Sequence, residues 1–195
     1  MARGWLQARL PGGRHLDDAI TVLALTDAAD TVRAVEIREF TDGDWHQVWP
    51  IVRDVIQARD TYTYDPAMTS DQARAIWVEQ PPGHTVVAVQ DGQVLGTAKM
   101  GPNRPGPGSH VSTASFMVGP QARGKGVGTA LCAYALDWAR SQGYAGMQFN
   151  AVAETNRSAV KVYERLGFTI VGTVPGAFEH PEDGRVGLHI MYCGF

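Results

Sequence analysis

The chain contains little of what several common classes of protein depend on. Its two cysteines, Cys132 and Cys193, lack the paired spacing of a disulfide framework or a zinc site, which indicates a reducing compartment, the cytoplasm by default, and no bound metal. No apolar run approaches the ~18 residues that span a membrane. Lysine and arginine number 17 against 20 acidic residues, and the net charge of −3 provides no broad basic surface for nucleic acid. We therefore expect neither a membrane nor a nucleic acid as a partner.

What is present fits one globular domain preceded by an extension. Of the 195 residues, 44% are hydrophobic, which is enough for a single full core. Near the start, three arginines precede an apolar run at residues 19–25, an order found in secretory signals. Two aspartates, Asp17 and Asp18, lie directly before this run, however, and the run is short. We interpret residues 1–35 as an extension, flexible or loosely docked, and residues 36–195 as the domain.

Hydrophobic periodicity and turn residues predict the order of elements in the domain. The predicted strands are 35–40, 85–90, 93–100, 111–118, 146–153, 169–173 and 186–192, with a hairpin turn at Asp91-Gly92 and the last two strands as an antiparallel pair. The predicted helices are 44–59, 70–80, 127–140 and 157–166. Asp44 and Gln47 resemble a capping box for the first helix, and Pro50 is expected to kink or divide it.

A glycine-rich loop lies directly before the third predicted helix. Residues 121–128 read Gln-Ala-Arg-Gly-Lys-Gly-Val-Gly. Glycine has no Cβ, so a ligand can approach its backbone closely and a positive φ carries no penalty. A loop of this kind that leads into a helix presents unpaired N–H groups and the positive end of the helix dipole, which together suit a phosphate. The segment therefore predicts a polyphosphate site built largely from backbone.

Two nucleotide-binding motifs fit these glycines poorly. A Walker A loop that ends at Gly124-Lys125 requires Ser or Thr next to hold magnesium, and the next residue is Gly126. The dinucleotide-binding motif requires glycines at its first, third and sixth positions and an acidic residue after a second strand. Here the glycines occupy the first, third and fifth positions, and that acidic residue is missing. Magnesium-dependent ATP binding and NAD binding are thus disfavoured.

A second motif follows the glycine loop. Residues 156–168 read Asn-Arg-Ser-Ala-Val-Lys-Val-Tyr-Glu-Arg-Leu-Gly-Phe. Together with Arg/Gln-x-x-Gly-x-Gly after a strand, this order resembles the acetyl-CoA-binding signature of the GNAT N-acetyltransferase superfamily. The resemblance covers roughly residues 36–195. It implies an α/β (α+β) single domain with a mixed, strongly twisted central sheet flanked by helices, acetyl-CoA as cosubstrate and no metal.

The same resemblance implies where acetyl-CoA binds. The thioester would lie beside the end of strand 111–118, with the amide of Val118 facing its carbonyl oxygen, and pantetheine would lie between that strand and strand 146–153. Arg123 would approach the pyrophosphate more closely than Lys125. The cofactor-binding residues implied are Phe116, Met117, Val118, Arg123, Gly124, Lys125, Gly126, Val127, Gly128, Thr129, Asn150, Asn156, Ala159 and Tyr163.

Acetyl transfer from a thioester to an amine needs two proton movements. An amine with a pKa near 10.4 must lose a proton at neutral pH, and the departing thiolate gains from receiving one. Tyr163 occupies the position of the family's usual proton donor, although a tyrosine on a short amphipathic helix is equally suited to packing. Asn156 precedes a helix and is suited to act as an N-cap, a role compatible with contact to pantetheine.

The general base is less evident, because strand 110–118 contains no carboxylate. Glu154 is the first candidate among side chains. A water chain that delivers the proton to solvent is at least as good an explanation. The remaining candidates are Asn150 acting through a water, His110, Asp65 and His180.

The acceptor is expected to be the primary amine of a small molecule, acetylated by direct transfer. In the family, specificity resides in the first two helices and the C-terminal strands, which here carry Tyr62, Tyr64 and Asp65, and then Phe178-Glu179-His180. Trp45 and Trp49, four apart on a helix, are expected to be core anchors. The alternatives are acetylation of a protein N-terminus or lysine, and a non-catalytic CoA-binding regulator. A homodimer is compatible with the resemblance.

Overall fold

The computed structural model describes residues 20–26 and 32–195, with side chains from residue 35 onward. Within these ranges the chain forms eight strands and four helices. In chain order they are β1 (Ile20–Thr26), β2 (Val32–Glu39), α1 (Trp45–Ala58), α2 (Ser70–Trp77), β3 (His84–Gln90), β4 (Gln93–Pro102), β5 (Val111–Val118), α3 (Val127–Ser141), β6 (Gly146–Ala153), α4 (Arg157–Arg165), β7 (Thr169–His180) and β8 (Gly184–Gly194).

The eight strands form one mixed sheet in the order β1-β2-β3-β4-β5-β6-β8-β7. Neighbouring strands are antiparallel except β5 and β6, which are parallel. A parallel pair needs a long crossover, and α3 supplies it. The predicted mixed sheet flanked by helices in a single domain is confirmed. None of the helices in the described ranges is long and apolar enough to cross a membrane.

Helices cover both faces of the sheet. On one face, Leu131 and Ala135 of α3 pack with Met147, Phe149 and other residues of the larger core cluster. On the other face, α1 and α2 pack on the sheet through a second cluster that includes Val52 and Trp77. Both predicted core anchors of α1 pack against this second cluster, so that prediction is confirmed. The indole rings of Trp45 and Trp49 stack with centroids 6.2 Å apart.

The predicted elements are all present, and most differences lie at their ends. The hairpin turn at Asp91-Gly92 is confirmed, with φ of 50° and 77° as a type I′ turn requires. The second helix ends at Trp77 rather than near residue 80, because Val78 is extended. The last two strands are longer than predicted. The strand predicted over residues 35–40 is observed over Val32–Glu39. The backbone of residues 20–26 forms a further strand beside it. The domain boundary at residue 35 stays a prediction.

The capping box at the first helix and the division of that helix at Pro50 are both wrong, whereas a kink at Pro50 stays a prediction. Asp44 does not cap α1 through its side chain; its carboxylate accepts from the N–H and hydroxyl of Thr41 and pairs with Arg38 at 2.7 and 2.8 Å. Gln47 instead accepts from the N–H of Val94. Pro50 does not divide α1, which continues to Ala58. A proline near a helix start removes one hydrogen bond, and the buried apolar face of the helix offsets that loss.

Candidate active site

The site is built on a divergence between the two parallel strands. Only two residue pairs join β5 to β6, Val111 with Gly146 and Ser112 with Met147. Beyond them the strands separate. The C-terminal half of β5 therefore keeps β4 as a neighbour on one side and faces an open gap on the other.

Backbone groups of alternate β5 residues point into this gap. The C=O of His110 accepts a hydrogen bond from Ala145, on the β6 side, whereas the N–H of Gly119 donates to Leu95 on the β4 side. Because successive residues of a strand direct their N–H and C=O groups to opposite edges, even-numbered residues face the gap. Val118 is one of these residues, so its N–H faces the gap; its contact with an acyl oxygen stays a prediction.

A cleft of about 1190 Å³ occupies the gap. It reaches from the N-termini of α3 and α4 on one side to the loop between α1 and α2 on the other. All of the predicted cofactor-binding residues line it except Lys125. The strand divergence therefore brings together residues that are up to 47 positions apart in the predicted set.

The glycine loop forms the end of the cleft beside α3. Gly124 and Gly126 have φ of 74° and 84°, values that favour glycine. Gly126 is the N-cap of α3, so the amides of the next three residues lie in the first helical turn, where a helix offers them no acceptor. The exposed Arg123 adds positive charge, whereas Lys125 does not line the cleft. This end has the donors and the charge that a phosphate group requires.

Helix α4 lies beside the same end. The side-chain oxygen of Asn156 accepts from the N–H of Ala159 at 3.3 Å and from the hydroxyl of Ser158 at 3.1 Å. Asn156 is therefore the N-cap of α4, as predicted, and its amide nitrogen is the group it can offer a ligand. Lys161 and Arg165 also line this end, and the sequence reading did not single them out.

Tyr163 lines the cleft within an aromatic cluster. Its ring centroid is 4.6 Å from that of Phe149, 6.0 Å from that of Phe168 and 6.2 Å from that of Phe116. Burial raises the pKa of the Tyr163 hydroxyl well above its ordinary value. The hydroxyl therefore keeps its proton at neutral pH and is available as a donor.

The opposite end of the cleft carries Asp60, one of the two described carboxylates that line the cleft; the other, Glu164, belongs to α4. The loop after α1 supplies residues 60–64, and Thr113 and Ser115 of β5 face them. Asp60 accepts a hydrogen bond from the hydroxyl of Thr61 at 3.2 Å. It directly follows the C-terminal residues of α1, where a helix carries partial negative charge. The sequence reading missed Asp60, although its position directly after the first helix was a usable signal.

Most candidates for the general base lie elsewhere. Glu154 accepts from the N–H of Gly187. Asp65 accepts from the N–H of Ala67 within its own turn, and His110 and His180 contact Pro107 and Asp183 respectively. None of these four lines the cleft, and neither does Phe178. Asn150 does line it, but its amide group bonds Gln148 and Asn103, at 2.8 and 2.7 Å. Tyr62 and Tyr64 also line it, and their contact with an acceptor stays a prediction.

Comparison with known proteins agrees with this geometry. The model of the acetyltransferase (GNAT) family matches residues 49–168. A solved GCN5-related N-acetyltransferase from Kribbella flavida is 51% identical, with a TM-score of 0.81 over 83% of this chain and 98% of that one.

Two curated bacterial relatives act on small amines, as their names state. L-2,4-diaminobutyric acid acetyltransferase from Nocardia farcinica is 26% identical over 78% of this chain and 74% of its own length. L-methionine sulfoximine/L-methionine sulfone acetyltransferase from Pseudomonas paraeruginosa is 34% identical over 48% of this chain and 55% of its own length. The matched part of this chain spans 40% and 13% of the lengths of the first two curated relatives that it matches.

Proposed function

Because this chain belongs to the GNAT family of acetyltransferases, whose members use acetyl-CoA, we propose that it transfers the acetyl group directly to the primary amine of a small molecule. The observation that carries the proposal is the cleft that passes between β5 and β6. One end suits a pyrophosphate, the other is open to a polar acceptor, and Tyr163 lies between them. A cofactor and an acceptor can therefore meet from opposite sides of the sheet.

Acetyl-CoA fits the residues of the cleft by charge and shape. The amides at the start of α3 and the Arg123 guanidinium would bind the pyrophosphate. The narrow gap between the strands would hold pantetheine, with the Asn156 amide nitrogen as a donor to it. The thioester carbonyl would then accept from the N–H of Val118, which would stabilise the oxyanion that forms during transfer.

The reaction is a direct displacement through a tetrahedral intermediate. The neutral amine attacks the thioester carbon, the C–N bond forms, and the C–S bond then breaks. Tyr163 gives its proton to the departing thiolate of CoA and is reprotonated from solvent. Neither Cys132 nor Cys193 lines the cleft, so no cysteine in the described part of the chain is placed to carry the acetyl group.

The amine loses its proton to water rather than to a carboxylate. At the acceptor end, Thr113 and Ser115 provide polar partners for a bound water, Asp60 is assigned to binding the acceptor, and Glu154 does not line the cleft. The enzyme would then select the neutral fraction of the amine in solution and pass the remaining proton outward.

The acceptor end favours a small cationic amine over a protein segment. Asp60 and the C-terminal end of α1 attract an ammonium group of the acceptor other than the neutral amine that reacts, and the hydroxyl-bearing residues Thr61, Thr63, Thr113 and Ser115 also line the cleft. The two bacterial relatives named above act on small amino compounds, which supports this choice. Acetylation of a protein N-terminus or lysine remains the alternative within the family, and non-catalytic CoA binding is the alternative outside it.

A thiol-release assay tests the proposal. Acetyl-CoA is mixed with the protein and with L-2,4-diaminobutyrate, L-methionine sulfoximine, simple diamines, or a peptide with a free N-terminus and a lysine. We expect faster release with at least one small amine than with the peptide. Preference for the peptide would favour the protein-directed alternative. Tight CoA binding with no release from any acceptor would favour the regulator.

We also propose that the protein forms a homodimer through β7. Among the strands of residues 20–26 and 32–195, this one is the sheet edge farthest from β1 and pairs only with β8, and it exposes Ile170, Val171 and Val174. Residues 169–178 carry no charge, and charged residues are one of the devices, with proline and bulges, that protect edge strands in monomers; of these devices the segment has Pro175 and an irregular register with β8. Analytical ultracentrifugation of the protein and of a Val171→Lys variant tests this proposal, which predicts a dimer for the first and a monomer for the second.

A further inference from the structure

Tyr62 occupies the gap between β5 and β6 on the acceptor side. It lies in the loop between α1 and α2. Its hydroxyl accepts a hydrogen bond from the N–H of Phe116 at 2.9 Å and donates one to the C=O of Phe116 at 2.8 Å. One hydroxyl thus satisfies both backbone groups that Phe116 directs into the gap. Those two groups would pair with β6 if the strands continued side by side.

Only a group that both donates and accepts can replace a strand in this way. A tyrosine hydroxyl does so as long as it keeps its proton. Burial raises the pKa of the Tyr62 hydroxyl, so the proton is retained across the physiological range. A phenylalanine at this position would leave two backbone groups of Phe116 without partners in a half-buried environment.

The core fixes the position of this hydroxyl. The Tyr62 ring packs edge-on against Trp77, with centroids 6.3 Å apart, and stacks on Tyr64 at 5.6 Å. Trp77 is fully buried, and its indole N–H donates to the hydroxyl of Thr97 on β4 at 3.0 Å. Tyr62 is therefore anchored to β4, the strand on the far side of β5 from the gap.

Phe116, whose backbone is bonded by Tyr62, also contacts Tyr163, the proposed proton donor. On the opposite face of β5, the ring of Phe116 lies against Phe149 at 5.8 Å and against Tyr163 at 6.2 Å. Two residues farther along, the N–H of Val118 faces the gap. A shift of the backbone at Phe116 would therefore displace both the contact with Tyr163 and the N–H donor at Val118.

We infer that Tyr62 is a positioning residue for acetyl transfer, one that acts through Phe116. Its hydroxyl replaces β6 as the partner of Phe116 and keeps the two strands apart. It thereby fixes two groups beside the expected thioester. These groups are the N–H of Val118 and the ring of Phe116, which packs on Tyr163. This inference rests on the proposed function, since it assigns Tyr62 a part in the transfer step.

The first test uses the protein alone. Tyr62→Phe removes the hydroxyl and keeps the ring, and Tyr144→Phe is the matched control, because Tyr144 is half-buried against Trp138 and outside the cleft. We expect the Phe116 amide of the Tyr62 variant to exchange its hydrogen about tenfold faster or more, as loss of one hydrogen bond implies. Exchange at the rate of the wild type and the control would overturn the inference.

The second test separates positioning from general loss of structure. In Tyr62→Phe, the dissociation constant for CoA should stay within about twofold, because the glycine loop is unchanged, while kcat for the best small amine falls about tenfold or more. An unchanged kcat, or an equal loss of CoA affinity, would overturn the inference. A wild-type protein that acetylates no amine would refute the proposed function instead. The exchange rate at Phe116 would then still show whether Tyr62 holds the strand.

Discussion

Glu154 and Gly187 are joined by a reciprocal pair of hydrogen bonds. The carboxylate of Glu154 accepts from the N–H of Gly187 at 2.5 Å, and the N–H of Glu154 donates to the C=O of Gly187 at 3.0 Å. These bonds attach the start of the loop before α4 to β8. The carboxylate is therefore part of the scaffold that supports α4, and it does not line the cleft.

We expect Glu154→Gln to lower kcat/KM less than tenfold and to leave its pH dependence unchanged. The glutamine oxygen can still accept from Gly187, and a water relay does not need the carboxylate. In both proteins the rate should rise with pH towards the pKa of the amine. A pH–rate profile of each protein checks this. A loss of 10²–10⁴-fold, with a wild-type plateau near pH 6–7 that disappears in the variant, would identify Glu154 as the base.

Tyr163→Phe should lower kcat by about 10²-fold or more while the affinity for acetyl-CoA stays nearly constant. The proton is needed only as the thiolate departs, so its loss affects the transition state and not the bound cofactor. Single-turnover kinetics and calorimetry separate the two quantities. If kcat is unchanged at saturating amine, with chemistry limiting turnover, the ring of Tyr163 only packs against Phe149.

Gly126→Val should abolish acetyl-CoA binding. Gly126 has φ of 84° at the N-cap of α3, a conformation that a β-branched residue avoids, and a side chain there would occupy space beside the pyrophosphate. Gly143→Val is the matched control, since Gly143 has φ of 78° in the turn after α3 and does not line the cleft.

Calorimetry with acetyl-CoA, with and without magnesium, measures the effect. The control should lose stability and retain binding, and the wild type should bind without magnesium. Equal loss of binding in both variants would show that backbone strain, not the phosphate site, is responsible.

Asp60→Asn should raise KM for a cationic amine about tenfold or more, with little change in kcat or in CoA affinity. The expected loss corresponds to one charge-assisted hydrogen bond. Asp65→Asn is the control from the same loop; it lies outside the cleft, and asparagine can still accept from Ala67. Steady-state kinetics with a diamine checks this prediction. Equal KM values for the two variants would show that Asp60 does not bind the acceptor.

The ion pair of Asp44 with Arg38 should make stability depend on acid pH. The guanidinium lowers the pKa of the Asp44 carboxyl to about 2, from an ordinary value of 3.8. Because the folded-state pKa is the lower one, the contribution is fully present above about pH 4 and is lost as pH falls towards 2. Asp44→Asn should therefore lower the free energy of unfolding by about 1–2 kcal/mol at pH 7, and by less than half of that near pH 2.5.

Denaturant unfolding at both pH values measures this difference. Asp54→Asn is the control, because Asp54 pairs with Arg53 in an exposed position and should change stability by less than about 1 kcal/mol. If the Asp44 variant loses the same free energy of unfolding at both pH values, the lost stability does not come from the ion pair of Asp44 with Arg38.

Much of the fold and part of the site could be predicted from the sequence, because the signals are local. The glycine loop, the amphipathic pattern of α3 and the Asn156 cap are each set by a few neighbouring residues. Strands β5 and β6 were predicted with their observed bounds for the same reason. Asp44 shows the limit: it was interpreted as a helix cap, but Arg38, six residues earlier on β2, competes for its carboxylate.

The sequence by itself determined the order of elements and singled out the glycine loop and Tyr163 as the candidates for phosphate binding and proton donation, since periodicity, glycine and capping chemistry act over a few residues. Only the tertiary structure decided which residues meet in the cleft. The strands part after two parallel pairs, and Tyr62, 54 positions before Phe116, fills the place of the missing partner. The same long-range packing turns Glu154 towards Gly187 and sets Asp60 beside the cleft. Contacts at such separation depend on how the sheet and helices pack, and no local pattern encodes them.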